Sequence, residues 1–166
     1  AYILKYELWF YTKINSFLSH FEKLSKNKKQ FGYQPVDHPE IILFGANRTG
    51  GSFLRTYHHL KRKILVIDFN PEVIESLKQQ RTPCLYGDIG NIEILRRINF
   101  KSAKVIISTV AREQDNIFLM GYVKNIRAGA ILILTAKTKE EAIALYNAGA
   151  DYVLVPHVKS GEIISG

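Results

Sequence analysis

From Ile41 onward the chain alternates between six short aliphatic runs and five segments with helical character. The runs are "EIILFG", "KILVID", "TPCLYG", "AKVIIST", "AILILTA" and "DYVLVP". Between them lie "GGSFLRTYHHLK", "PEVIESLKQQ", "NIEILRRI", "EQDNIFLMGYVKNIR" and "KEEAIALYNAG", each of which reads as a helix. Runs of Val, Ile and Leu without polar alternation belong to strands buried on both faces, as in a parallel sheet with helices on each side. Pro71 at the first turn of one helix and Gly149 just past the end of another mark boundaries. The sequence therefore predicts an α/β fold, a doubly wound six-stranded parallel sheet over residues 41–156.

In such a sheet, ligands sit beyond the carboxyl ends of the strands, where the strand order reverses. The first strand runs into a glycine loop there, in "IILFGANRTGGSFL" (Ile41–Leu54), which makes the fold Rossmann-like. Gly45 allows a tight turn, and Gly50 lets the next helix pack close to the sheet. Backbone amides at the helix start point outward and attract phosphate. Asn47 occupies the middle position of the usual G-x-G-x-x-G pattern. Asparagine tolerates unusual backbone angles, but its side chain takes space where a pyrophosphate normally approaches. Arg48 beside it supplies a cation within reach of a phosphate.

Asp68 ends the second strand, near the ~20-residue spacing at which an acid meets ribose hydroxyls. The same residue could instead cap the helix that opens at Pro71. A carboxylate here disfavours a 2′-phosphate, so NAD-type or simple adenosine ligands fit better than NADP. After the third strand, "YGDIGN" places Gly87 and Asp88 near the adenine side of the crevice, although Asp88 could equally cap the following helix. Ser108 and Thr109 end the fourth strand and either line the ligand or serve the turn.

The formal charge of +8 over 166 residues suits nucleic acid, an anionic membrane face or a phosphorylated ligand. Much of it lies in residues 1–30, where six lysines face two glutamates. There Ile3, Phe10, Ile14, Phe17, Phe21 and Leu24 form one helical stripe. This N-terminal segment reads as a basic amphipathic helix for a membrane surface, or one that packs on its own domain or a second copy. Residues 31–40, with Gly32, Pro35 and Pro39, read as a linker, and residues 157–166 as a further helix or tail. Beginning at Ala1 and holding one methionine, Met120, the chain reads as a piece of a longer protein.

Several chemistries are disfavoured. The single cysteine, Cys84, excludes an internal disulfide and a cysteine metal site, and suits a reducing compartment. His58 and His59 are adjacent and would point apart on a helix, so no metal site is expected. Catalysis by hydride transfer needs a second region for substrate, which the residues after the sixth strand do not supply. His157 is a candidate on paper among them, and no catalytic residue is assigned. Basic faces at Lys61–Lys63 and Arg96–Arg97 lack the aromatic or helix-turn-helix context of a nucleic-acid binder, so no nucleic acid partner is expected.

Together, "IILFGANRTGGSFL", "KILVIDFNPEVIESL", "CLYGDIGNIEIL", "AKVIISTV" and "AGADYVLVP" resemble the TrkA-N, or RCK, domain that regulates potassium channels and transporters, over about Glu40 to Pro156. "YILKYELWFYTKINSFLSHFEKL" is similar to the segment that leads from the last membrane helix into this domain in Kef-type monovalent cation:proton antiporters. The resemblance implies an adenine nucleotide, AMP or NAD(H), with ADP and ATP as further options. Gly45, Asn47, Arg48, Thr49 and Gly50 would hold phosphates, and Asp68 the ribose, with Phe69 beside it. Gly87, Asp88, Ile89, Ser108 and Thr109 would take the adenosine side. It further implies a homodimer, joined to the antiporter domain of the same polypeptide at the cytoplasmic face of the cell membrane. The implied function is regulation of K+ or Na+/proton antiport. The RCK domain of a potassium channel and an NAD-dependent oxidoreductase fragment are the alternatives.

Overall fold

The computed structural model describes residues 37–126 and 128–156. The helix expected over 1–30, the linker up to residue 36 and the tail at 157–166, with His157, lie outside the described residues. Six strands, β1 (Ile41–Phe44), β2 (Ile64–Asp68), β3 (Cys84–Tyr86), β4 (Val105–Ser108), β5 (Ile131–Thr135) and β6 (Tyr152–Leu154), form one sheet. Their order is β3-β2-β1-β4-β5-β6, and every neighbouring pair is parallel. The α/β, Rossmann-like six-stranded architecture expected from the sequence is the one observed.

Five helices connect the strands: α1 (Arg48–Thr56), α2 (Pro71–Gln79), α3 (Ile92–Arg96), α4 (Glu113–Asn125) and α5 (Lys139–Ala148). Because crossovers between parallel strands are right-handed, the reversal of direction after β3 puts α1 and α2 on one face and α3, α4 and α5 on the other. Side chains alternate along each strand accordingly. Ile42, Phe44, Ile106 and Leu134 join Leu95 of α3, Leu119 of α4 and Leu145 of α5 in one core. Leu43, Val66 and Ile107 point to the other face, where Leu54 and Leu77 are buried. Each such aliphatic side chain contributes roughly 1.5–3 kcal/mol by leaving water.

Local chemistry sets the helix ends. Asn70 caps α2 by accepting from the Glu72 amide at 2.9 Å, with Pro71 in the first turn. Asn91 caps α3 and Thr138 caps α5 in the same way, and Gly149, at φ +107°, closes α5. The first helix departs from expectation. It gives way after Thr56 to a 3-10 turn over His58–Lys63, where the sequence suggests one helix through Lys61. Tyr57 and Leu60 are both buried and three residues apart, a spacing that the tighter helix keeps in line.

The last residues of the expected linker are pinned rather than loose. Asn99 Nδ2 donates to the Asp37 carbonyl at 2.9 Å, and Ser102 Oγ to that of Pro39 at 3.0 Å. The Glu40 carboxylate bridges Lys63 Nζ at 3.0 Å and Lys104 Nζ at 3.1 Å. Partial burial raises the Glu40 pKa, but the two lysines outweigh it and hold the group below its ordinary value.

Candidate functional site

The reversal of strand order lies between β1 and β4, and the glycine loop opens beside it. Gly45 adopts φ +84°, where side chains other than glycine are strained. A Cβ there would also lie 2.6 Å from Thr109 Oγ1. That hydroxyl sits 3.0 Å from the Gly45 carbonyl and 3.2 Å from that of Phe44, so its donation clamps the end of β1 to the end of β4. Gly50 approaches still closer: a Cβ would lie 2.0 Å from the Gly45 carbonyl oxygen. Only glycine lets α1 start this near the strand.

Asn47 precedes α1, and its side chain makes no capping hydrogen bond. Its φ of −72° is negative, but its ψ of −112° lies outside the helical and extended ranges, an unusual backbone of the kind that asparagine tolerates. The first-turn amides of a helix have no intrahelical acceptor, and α1 carries no acid there to neutralise them. Arg48 and Thr49 are exposed on that turn. The loop thus presents amides and a cation to solvent, a combination that suits a phosphate.

Asp68 is 6% exposed and holds two loops at once. Its Oδ2 accepts from the Ala46 amide at 2.7 Å and its Oδ1 from the Asn70 amide at 2.8 Å. An ionised carboxylate oxygen accepts more than one hydrogen bond, so capacity remains for a ribose hydroxyl. Asn70 rather than Asp68 caps α2, and Asn91 rather than Asp88 caps α3. Asp88 instead accepts from the Gly90 amide at 2.9 Å and is exposed. Gly87 is buried, and its amide donates to the Asp68 carbonyl at 3.0 Å.

Other candidates fall differently. Phe69 is 66% exposed at the end of β2. Ile89 is buried in the core, and Ser108 is fully buried with its hydroxyl accepting from the Val110 amide at 3.3 Å. The structure brings Gly45, Asp68, Gly87 and Thr109 together through hydrogen bonds at the strand ends, with Gly50 packed against the Gly45 carbonyl, while Ser108 and Ile89 are buried. Sequence reading missed the Ala46 amide tie, which has no side-chain signature. It also missed Asn116, which is buried and donates to the Val110 and Thr135 carbonyls at 2.9 and 2.8 Å, joining the ends of β4 and β5. A groove of about 550 Å³ between α1 and α2 is lined by Ala46, Asn47, Leu54, Arg55, Val73 and Leu77 among others. It borders the loop but includes only Asn47 of the candidate residues. No cluster of His, Cys, Asp and Glu suited to a metal occurs among the described residues.

The model of the TrkA-N domain matches residues 41–156 of the chain. The chain belongs to the TrkA-N domain family. Potassium channel protein 1 of Methanocaldococcus jannaschii is 23% identical over 148 residues, covering 88% of this chain and 44% of that one. The glutathione-regulated potassium-efflux system protein KefC of Escherichia coli O157:H7 (strain EC4115 / EHEC) is 27% identical over 115 residues, 69% of this chain and 18% of that one. The chain therefore spans less than half of each of these relatives. Among solved structures, the GsuK channel bound to NAD shares the TrkA-N fold with a TM-score of 0.63 at 21% identity, covering 88% of this chain and 26% of that one. GsuK bound to ADP gives 0.62 at 20% identity, covering 86% and 38%.

Proposed function

We propose that this TrkA-N domain binds an adenine nucleotide in the crevice between β1 and β4 and thereby regulates a membrane protein that moves a monovalent cation. The observation that carries the reading is the glycine loop: uncapped helix amides and Arg48 at its rim, with Asp68 tied to it from below. Potassium channels and efflux systems among the relatives support the transport context, and GsuK bound to NAD or to ADP supports the ligand class. Within that context we favour the cytoplasmic regulatory domain of a Kef-type antiporter for K+ or Na+ over a channel, on the basic aromatic segment at residues 1–30. No helix among the described residues is long and apolar enough to cross a membrane. The domain acts by binding rather than by turnover, and it works as a homodimer. Exposed Ile117 and Phe118 on α4, with Ile143 and Tyr146 on α5, support that assembly.

Thermal melts and calorimetry of the chain with AMP, ADP, ATP, NAD+ and NADH test the reading. A ligand at one hundred times its Kd raises stability by about 2.7 kcal/mol. One or more of the five should shift the melt, and Arg48→Ala should weaken that shift without changing the unliganded melt. Silence from all five would sink nucleotide binding; consumption of NADH with a small carbonyl substrate would replace sensing by catalysis. For the transport step, full-length protein in proteoliposomes should exchange K+ or Na+ for protons under nucleotide control. Conductance without proton movement would assign the domain to a channel.

A further inference from the structure

In a sheet whose strands are all parallel, each connecting helix ends at the edge where the next strand begins. That edge is basic here, and the opposite one is acidic. Cations hold the last turns of α1, α2, α3 and α4, at Arg55, Lys78, Arg96 and Lys124. Acids hold the first turns of α2, α3, α4 and α5, at the edge that carries Asp68 and Asp88. Helix dipoles favour both arrangements. They do not account for the run Lys61–Lys63 directly before β2, for Arg81 in the loop before β3, or for Lys101 on a single 3-10 turn before β4.

Backbone hydrogen bonds set part of this edge side by side. The Glu40 amide donates to the Lys63 carbonyl at 2.9 Å, and the Lys104 amide to the Glu40 carbonyl at 2.8 Å. Glu40 pairs with both of those lysines. Arg81, Arg97 and Lys101 are exposed and have no ion-pair partner among the described residues. Arg81 is also held at φ +54°, in the left-handed region that suits glycine and strains arginine. A strained backbone under an exposed arginine points to a use for its side chain. The chain that precedes β1 joins the domain at this same edge, and its residues 1–30 hold six lysines against two glutamates. A planar anionic surface attracts every cation of such an edge together, within a Debye length of about 10 Å. Nucleic acid fits less well. The two most exposed Phe and Tyr rings among the described residues, Phe69 and Tyr86, stand at the opposite, acidic edge, away from the cations that a stacked strand needs.

We infer that the edge of the sheet where the strands begin docks on the anionic headgroups of a phospholipid surface. The inference takes its membrane setting from the function proposed above, and its test needs no nucleotide, so either can fail alone. The 166-residue chain is sedimented with vesicles of phosphatidylcholine, and with vesicles of equal parts phosphatidylcholine and phosphatidylglycerol. Wild type should pellet with the anionic vesicles only, and added salt should release it. Removing one such cation should weaken binding about fivefold, and Arg97→Gln with Lys101→Gln about twentyfold. Arg81→Gly should weaken it about fivefold without lowering the melting temperature, because glycine relieves the backbone. Lys137→Gln with Lys139→Gln removes two exposed cations from the opposite edge and should leave binding unchanged. The same pelleting with both vesicles, or with neither, would overturn the inference. So would an equal loss in the Lys137 and Lys139 variant. Edge variants that bind as tightly as wild type would also overturn it and leave residues 1–30 as the membrane contact. Tighter binding to a DNA duplex than to the anionic vesicles would assign the edge to nucleic acid instead.

Discussion

At the scale of single residues, the glycine loop shows how differently two glycines can matter. At Gly50 an added methyl meets backbone, 2.0 Å from the Gly45 carbonyl oxygen, and α1 must move away. Gly50→Ala should cost about 1–3 kcal/mol in a urea melt and displace the first turn of α1. At Gly121 on α4 nothing lies within 4 Å of the same methyl, so Gly121→Ala should stabilise the chain by about 0.4–1 kcal/mol. Asp68 needs a more careful probe. Its oxygens serve the Ala46 and Asn70 amides, so Asp68→Asn sets a donor against a donor and should itself cost about 1–3 kcal/mol. Loss of nucleotide binding in that variant would not by itself identify a ribose contact; Arg48→Ala, on an exposed side chain, is cleaner. The spacing of Gly45, Gly50 and Asp68 was readable because each answers to a turn or a strand end. The brace between Ala46 and Asp68 was not, because one partner is a backbone amide that every residue carries. Arg112 and Asp115 stand three apart, a visible ion-pair spacing, but burial of the carboxylate follows from loops distant in sequence.

At the scale of elements, the strands were readable from their unbroken aliphatic runs, and most helix ends from Asn, Thr, Pro and Gly at the caps. The early end of α1 was not, since it depends on tertiary burial of Tyr57 and Leu60 rather than on a breaker. The pinned segment before β1 also escaped, because Gly and Pro suggest a linker whether or not distant side chains seize it. Its Glu40 bridge makes a pH prediction. The folded carboxyl has a lowered pKa, so its contribution is present above the unfolded value and fades as pH falls through the folded one. Glu40→Gln should lower stability by about 0–1 kcal/mol at pH 7, and the difference from wild type should shrink as the pH is lowered through the folded carboxyl's pKa. A difference that stays the same size across an acid titration would mean that packing, not charge, ties Glu40 in place. In the core, Leu119 is fully buried, and Leu119→Ala should cost about 2–5 kcal/mol in the same melts.

At the scale of the whole molecule, doubly wound topology was readable because right-handed crossovers leave few ways to order six parallel strands. What covers the outer surfaces of the helices was not. Ile143 is 59% exposed and Tyr146 48% on α5, near exposed Ile117 and Phe118 on α4. If these helices form the homodimer contact, Ile143→Asp should shift sedimentation from dimer to monomer while moving the monomer's melt by no more than about 0.5 kcal/mol in stability. A wild-type chain that sediments as a monomer at micromolar concentration would remove that contact.

The central strand β1 joins the pinned residues Asp37–Glu40 at one end to the glycine loop at the other. Four residues at about 3.3 Å each separate the two by only roughly 13 Å. Hydrogen-bonded on both sides, such a strand neither stretches nor buckles. A displacement passed along β1 from the loop to Glu40 would therefore move the strand as a rigid rod, by tilt or translation and not by lengthening.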